Sequence, residues 1–296
     1  MIDLFSGQLL IAALVLAAIY GLVALGLNLI YGTMRLLNVA HGEILMLGGY
    51  LAYWTFTLTG VGPVWSMFLA LALAGAFGAA VYRTLCRRVL RSSRLIEQIE
   101  ANSLLLLFGV SIILQNAVAL SFTATARAYP YLDDIVRIGT FQVTADRLVV
   151  LGIGLALSLA AILFFRLSAT GLQIRALIQQ PDAALLVGVD VERMRLIAFS
   201  LGFAIAGVAG CLISMLEQVS PFMGFPFTIA AFVVIILGGL GNLAGGLAGA
   251  LVLAAIEVYG VALTTASMRS ILIYGVFIAV LVWRPQGLFG GRSLVR

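Results

Sequence analysis

The sequence has 296 residues, is 63% hydrophobic and 10% charged, and carries a formal net charge of +5. A soluble domain of this length could not bury so much apolar side chain, so a soluble globular fold is excluded and a polytopic membrane protein is expected. All 17 basic residues are arginine and lysine is absent, which excludes a Walker-type phosphate loop and a Schiff-base site in this chain.

The chain opens on Met1, Ile2, Asp3, Leu4 and Phe5. There is no basic n-region and no small-residue cleavage site after a short apolar run. The first apolar run therefore reads as a mature span and not as a removed leader. A helix needs roughly 20 apolar residues to cross a bilayer. Nine runs approach that length, at about 8–30, 38–59, 64–86, 102–121, 147–165, 196–216, 225–240, 243–263 and 269–283. The seventh is short, and only Gly241 and Asn242 separate it from the eighth, so one element can be broken or re-entrant. The expected fold is an all-α integral membrane protein, a single bundle of eight to nine transmembrane helices over residues 1–296.

The connections divide by charge. Arg35 follows the first run. Arg83, Arg87, Arg88, Arg91 and Arg94 fall in 82–100, Arg166, Arg175, Arg193 and Arg195 in 166–195, and Arg284, Arg292 and Arg296 in the tail. With nine spans these share one side, and only Arg127, Arg137, Arg147 and Arg269 remain for the other. The positive-inside rule then puts the N-terminus outside and the C-terminus in the cytoplasm. The net positive charge is thus a membrane-orientation signal, not a nucleic-acid footprint. The longer outer loop, 122–146, holds Tyr129, Pro130, Tyr131, Asp133 and Asp134 and can form a small external cap. Cys86 and Cys211 sit at or inside apolar runs and read as free thiols.

Three stretches can carry function. In the first, Asn38, His41 and Glu43 lie within six residues at the start of an apolar run, flanked by Gly42, Gly48 and Gly49. Ionisable groups at membrane depth are costly and face a water-filled path or a partner. They can contact a solute, serve in gating or subunit packing, or tie helix ends together at the inner interface. Glu257, in the eighth run, is a second buried carboxylate that can line a path or pair with an arginine.

In the second stretch, Pro181 ends one segment, Asp182 can cap a new short helix, and Gly188 can stop it. Ala183, Ala184, Leu185, Leu186 and Val187 give that helix an apolar surface, and a short apolar helix exposed to cytoplasm fits a groove on a partner. In the third, Gly241, Gly245 and Gly249 recur every four residues, as do Gly202, Ala206 and Gly210. Such small faces let membrane helices approach closely. A glycine-lined solute path is the other reading.

The run Gly26 to Gly32, then Asn38 to Glu43, then Gly48 to Tyr50 resembles the N-terminal signature of the H-type permease subunit of branched-chain amino-acid ABC importers. The related M-type subunit usually lacks the Ala-His-Gly-Glu form found here as Ala40 to Glu43. Asp182, Ala183, Ala184 and Gly188 resemble the ATPase-coupling pattern of ABC permeases, with Asp for Glu and without the distal Ile-x-Leu-Pro part. The coupling loop spans about 168–195. The segment 238–241 and the tail from Arg284 to Leu288 are similar to the same family.

The resemblance implies alternating-access import of leucine, isoleucine, valine or a related small solute across the bacterial inner membrane. It implies an M-type permease subunit, two ABC ATPase subunits carrying ATP and magnesium, a periplasmic solute-binding protein and surrounding lipid. No cofactor or nucleic acid is expected on this chain. A stand-alone channel or secondary carrier for a small polar solute such as urea or an amide is the alternative, with His41, Glu43 and Glu257 as its ion site. An intramembrane enzyme or a metal site is not expected. There is one histidine, the two cysteines are far apart, and the Gly109 to Ser111 stretch lacks the closing glycine of a nucleophile elbow.

Overall fold

A computed structural model describes residues 6–93, 95–138, 141–284 and 287–288. Arg94, Pro285, Gln286, Arg292, Arg296 and the N-terminal pentapeptide lie outside the described residues.

Among the described residues, twelve α-helices follow in chain order: α1 (Gly7–Met34), α2 (His41–Thr59), α3 (Pro63–Val81), α4 (Arg87–Ser92), α5 (Ile96–Phe122), α6 (Ala145–Leu167), α7 (Ala169–Gln179), α8 (Pro181–Leu186), α9 (Val191–Ile213), α10 (Gly224–Gly238), α11 (Leu243–Leu263) and α12 (Arg269–Trp283). A π-helical turn, Tyr82–Cys86, joins α3 to α4. Between α5 and α6 a hairpin pairs β1 (Ile135–Ile138) antiparallel with β2 (Phe141–Thr144), with Ile135 opposite Thr144.

Seven of these stretches are long and apolar enough to cross a membrane: Gly7–Met34, Pro63–Ser92, Ile96–Phe122, Ala145–Leu167, Val191–Ile213, Leu243–Leu263 and Ala266–Trp283. The chain is a multi-pass membrane protein. The two remaining expected runs became α2 and α10. α2 carries His41, Glu43 and three glycines in 19 residues, and α10 has only 15 residues.

α1 and α9 form the centre, because both are buried over most of their length. At their crossing, a β-carbon on Gly26 or on Gly202 would lie 2.7 Å from the other residue's carbonyl oxygen. α2 packs into α9 through Gly48, Gly207 and Gly210, again with no room for a β-carbon. These contacts place backbone against backbone, which is how helices associate where lipid removes the hydrophobic drive. α12 has no buried residue, and α5 and α6 have few. Their apolar faces suit lipid or another subunit.

The two ends of the bundle are distinct. At one, Arg87 and Arg91 ion-pair with Glu192, the latter at 3.1 Å, and Gly32 lies against Ile178 and Gly241. Arg175 donates to the carbonyl of Arg166, and Leu288 N–H bonds to Leu237 there too. At the opposite end, Arg127 stacks over Trp54 at 5.1 Å and over Tyr53 at 5.7 Å, and its backbone pairs with Val219. Tyr129 shares a 2.7 Å hydrogen bond with Ser214, and burial pushes its phenol above the usual value. Residues 122–138 and 141–146 thus form an aromatic loop and a hairpin, pinned to α2 and to the segment after α9. Cys86 and Cys211 are free and buried.

Candidate translocation site and coupling loop

The segment 36–40 is the unusual local structure. Arg35 takes a left-handed conformation (φ 56°) that stops α1. The chain then turns back into the bundle without forming helix, and Leu36, Asn38 and Ala40 are fully buried. α2 starts only at His41. His41 Nε2 donates to the Val23 carbonyl at 3.0 Å. Val23 lies eleven residues before the end of α1, so α2 begins about 16 Å inside that end.

α10 begins at the same place. The Gly42 and Gly224 backbones touch with no space for a β-carbon on Gly42. Gly42 N–H donates to Thr228 Oγ1 at 2.8 Å, and that hydroxyl donates to the Val39 carbonyl at 3.2 Å. Two helix N-termini therefore meet inside the bundle, and their unpaired N–H groups and dipoles favour negative charge. The acidic group present is Glu43, in the first turn of α2 and 1% exposed. Its Oε1 accepts from Ser111 Oγ at 3.1 Å. Its Oε2 lies over the first residue of α10, 2.9 Å from where a β-carbon on Gly224 would sit.

Several polar atoms in this cluster have no hydrogen-bond partner among the described residues: Glu43 Oε2, His41 Nδ1, and both amide atoms of Asn38. Buried polar groups are nearly always paired, so this unpaired set is exceptional and makes the junction the candidate functional site. Asn38, His41 and Glu43, read together from sequence, are thus brought together. The inner-interface reading is corrected for His41, whose partner is the middle of α1.

Glu257 belongs to a different cluster. Tyr20 donates to its Oε2 at 2.7 Å and Arg269 Nε bonds its Oε1. Arg269 also reaches Glu217, with NH1 3.6 Å from Oε1. Glu257 pairs with an arginine, the second of the two sequence readings. The two clusters approach each other through Phe227, which packs edge-on against Tyr20 with ring centroids 6.3 Å apart and is the residue before Thr228.

The glycine set divides as well. Gly245 and Gly249 pack α11 against Gly238 and Val234 of α10. Gly241 is not on that helix face: it sits in the preceding turn at φ +83°, because the chain reverses between α10 and α11. Asn28 of α1 holds that turn, accepting from Gly241 N–H at 2.7 Å and donating to the Asn242 carbonyl at 2.8 Å.

In the coupling loop, Pro181 opens α8 as its first residue. Asp182 stands in the first turn and does not cap; Gln180 holds the cap position without a side-chain bond. Gly188, at φ +84°, ends the helix with Gly188 N–H bonded to the Leu185 carbonyl and Val189 N–H to the Ala184 carbonyl, a Schellman stop. Ala184 is 2% exposed and faces the bundle. Leu185, Leu186 and Val187 are 61%, 88% and 78% exposed, and Ala183 and Asp182 are also exposed. The apolar face therefore points out, at the arginine-rich end.

Gly224, Thr228, Ser111, Tyr20 and Arg269 were not singled out from sequence. Most act through a partner distant along the chain, up to 237 residues for Tyr20 and Glu257, and no local pattern marks such pairs; Arg269 is the exception, 12 residues from Glu257.

Known proteins resemble the chain over almost its whole length. The high-affinity branched-chain amino acid transport system permease protein LivH of Escherichia coli strain K12 is 29% identical, over 97% of this chain and 96% of its own. BraD of Pseudomonas aeruginosa, which carries the same description, is 30% identical over 96% and 95%. LivM of Escherichia coli strain K12 is 26% identical over 92% of this chain and 68% of its own. No solved structure matches. A family model described as branched-chain amino acid transport system / permease component matches residues 9–281. The chain belongs to that family of permease components.

Proposed function

We propose that the chain is the H-type permease subunit of an ATP-driven importer for branched-chain or closely related amino acids in the bacterial inner membrane. The observation that carries ATP coupling is α8, a short helix with Leu185, Leu186 and Val187 bared to solvent beside the arginine-rich connections. A channel has no use for a docking helix there. Greater identity to LivH and BraD than to LivM supports the H-type reading over the M-type. With no lysine for a nucleotide loop, this chain is not the ATPase itself. The partners are then a second, M-type permease subunit, two ATPase subunits and an external binding protein.

The arginine-rich end faces the cytoplasm by the positive-inside rule. α2 and α10 each complete a crossing together with the non-helical segment that leads into it, 36–40 and 214–223. This gives nine passes, an outside N-terminus and a cytoplasmic C-terminus. Discontinuous helices of this kind line solute sites at mid-membrane depth in transporters. Here the α2–α10 junction, with Asn38, His41 and Glu43, is the gate, and Glu43 fills the anion-attracting gap between two helix N-termini while the gate is shut.

The test is affinity capture of the tagged chain from native membranes, paired with uptake of labelled leucine in cells with and without the gene. Co-capture of two ATPases and chain-dependent leucine uptake are expected. Concentrative uptake by the reconstituted chain alone would instead establish the secondary-carrier alternative.

A further inference from the structure

At the arginine-poor end the bundle opens into a cavity of about 440 Å³, the size of small-molecule sites in general. Its walls are apolar: Leu16 of α1 and Val258, Val261 and Ala262 of α11. Its floor is Ile19 and Phe227. Phe227 is the residue that packs on Tyr20 and precedes Thr228, so the floor is one layer from the α2–α10 junction. Four charged residues line it: Arg147, Glu217 and Arg269, which are partly exposed, and the buried Glu257.

Those four charges are not equally committed. Arg269 is engaged by Glu257 and Glu217, and Glu257 is closed off by Tyr20. Arg147, at the start of α6, has a guanidinium in none of the ion pairs among the described residues. Glu217 is half-exposed and touches Arg269 only at 3.6 Å. An uncommitted cation and a loosely held carboxylate therefore border one apolar chamber.

We propose that this cavity is a binding site for a zwitterionic α-amino acid with an aliphatic side chain. Arg147 takes the α-carboxylate, as guanidinium groups bind carboxylates in bidentate fashion. Glu217 takes the α-ammonium, and the side chain lies against Leu16, Val258 and Val261. The site rests on the permease reading and deepens it: it is the last holding place before the gate, with Phe227 between the bound solute and Gly42.

The experiment measures L-leucine binding to the full-length chain in nanodiscs by equilibrium dialysis, together with leucine uptake by cells carrying the complete system. Binding should be saturable. It should weaken about tenfold or more for 3-methylbutylamine, which lacks the carboxylate, and for 4-methylpentanoate, which lacks the ammonium. Arg147→Gln should weaken leucine binding about tenfold, Arg147→Lys should restore part of it, and Ala262→Trp should fill the chamber and abolish it. Uptake should fall in the same order. Leucine binding and uptake at wild-type level in both Arg147→Gln and Ala262→Trp would overturn the site, as would a phospholipid that co-purifies in the chamber and is not displaced by leucine. If the wild-type chain supports no leucine uptake at all, it is the permease reading that fails. If it does and the variants import normally, the cavity proposal fails alone.

Discussion

Gly42 and Gly224 touch backbone to backbone, and through that contact the first turns of α2 and α10 share one point inside the bundle. Neither residue has room for a side chain, so at this point the joint is a plane of backbone against backbone, crossed beside it by the Thr228 hydroxyl and the Glu43 carboxyl. That is a suitable construction for a gate, and it makes the joint sensitive to a single methyl group.

Gly42→Ala should destabilise the bundle by about 3 kcal/mol, the upper range for overpacking a close-packed site. Gly49→Ala is the control, because its β-carbon would meet Gly210 oxygen at 3.4 Å and should cost less than about 1 kcal/mol. Thermal unfolding in detergent, followed by size-exclusion fluorescence, measures both. Equal midpoints would mean that the contact is not maintained in the folded protein.

Asn28 is the clasp of the α10–α11 turn. Asn28→Ala strands the Gly241 N–H and the Asn242 carbonyl, which should cost about 2 kcal/mol. Asn28→Asp keeps the acceptor for Gly241 and loses the donor to Asn242, so its midpoint should lie below the wild type. The same unfolding assay reads the order.

The proposed coupling helix lets folding and docking be tested separately at residues two positions apart. Leu186→Glu, at an 88% exposed position, should change stability by less than about 0.5 kcal/mol while cutting uptake and ATPase co-capture about tenfold or more. Ala184→Glu, at a 2% exposed position, should instead unfold the loop from the bundle and lower the melting midpoint. Uptake unaffected by Leu186→Glu would remove the docking role.

Glu43→Gln keeps the shape and the bond from Ser111 but removes the charge held between two helix N-termini. Leucine uptake should fall at least about tenfold, with expression and melting little changed. Ser111→Ala should have a smaller effect, since it deletes one hydrogen bond of about 1 kcal/mol. Normal uptake by Glu43→Gln would leave the cluster a purely structural one.

The membrane class, the long spans and the short helix of the 168–195 loop were legible in the sequence because each depends on local chemistry: runs of apolar residues, Pro181 to start α8 and Gly188 to stop it. Even there the side chains had to be placed. Asp182 looked like a cap and is not one, and Ala184 looked like part of the docking face but turns inward. The depth of His41 was not legible. Residues 35–40 are few and mostly apolar, and nothing in their order distinguishes a chain skirting the surface from one plunging inside. Nor could hydropathy separate Gly42, Gly48, Gly207 and Gly224 from the other glycines, because a close backbone approach is a property of two segments and not of one. Glu257 was visible as a buried carboxylate, but its partners Tyr20 and Arg269 come from opposite ends of the chain.

The non-helical stretch before α2 has a further consequence. A peptide carbonyl such as that of Val39 has no turn of helix to satisfy it, and Thr228 on the neighbouring helix supplies its proton. Drawing the two helices apart breaks that loan, and the hydrocarbon interior offers nothing in exchange. In the proposed gate, parting the two helices therefore requires water to enter the joint and take Thr228's place on that carbonyl.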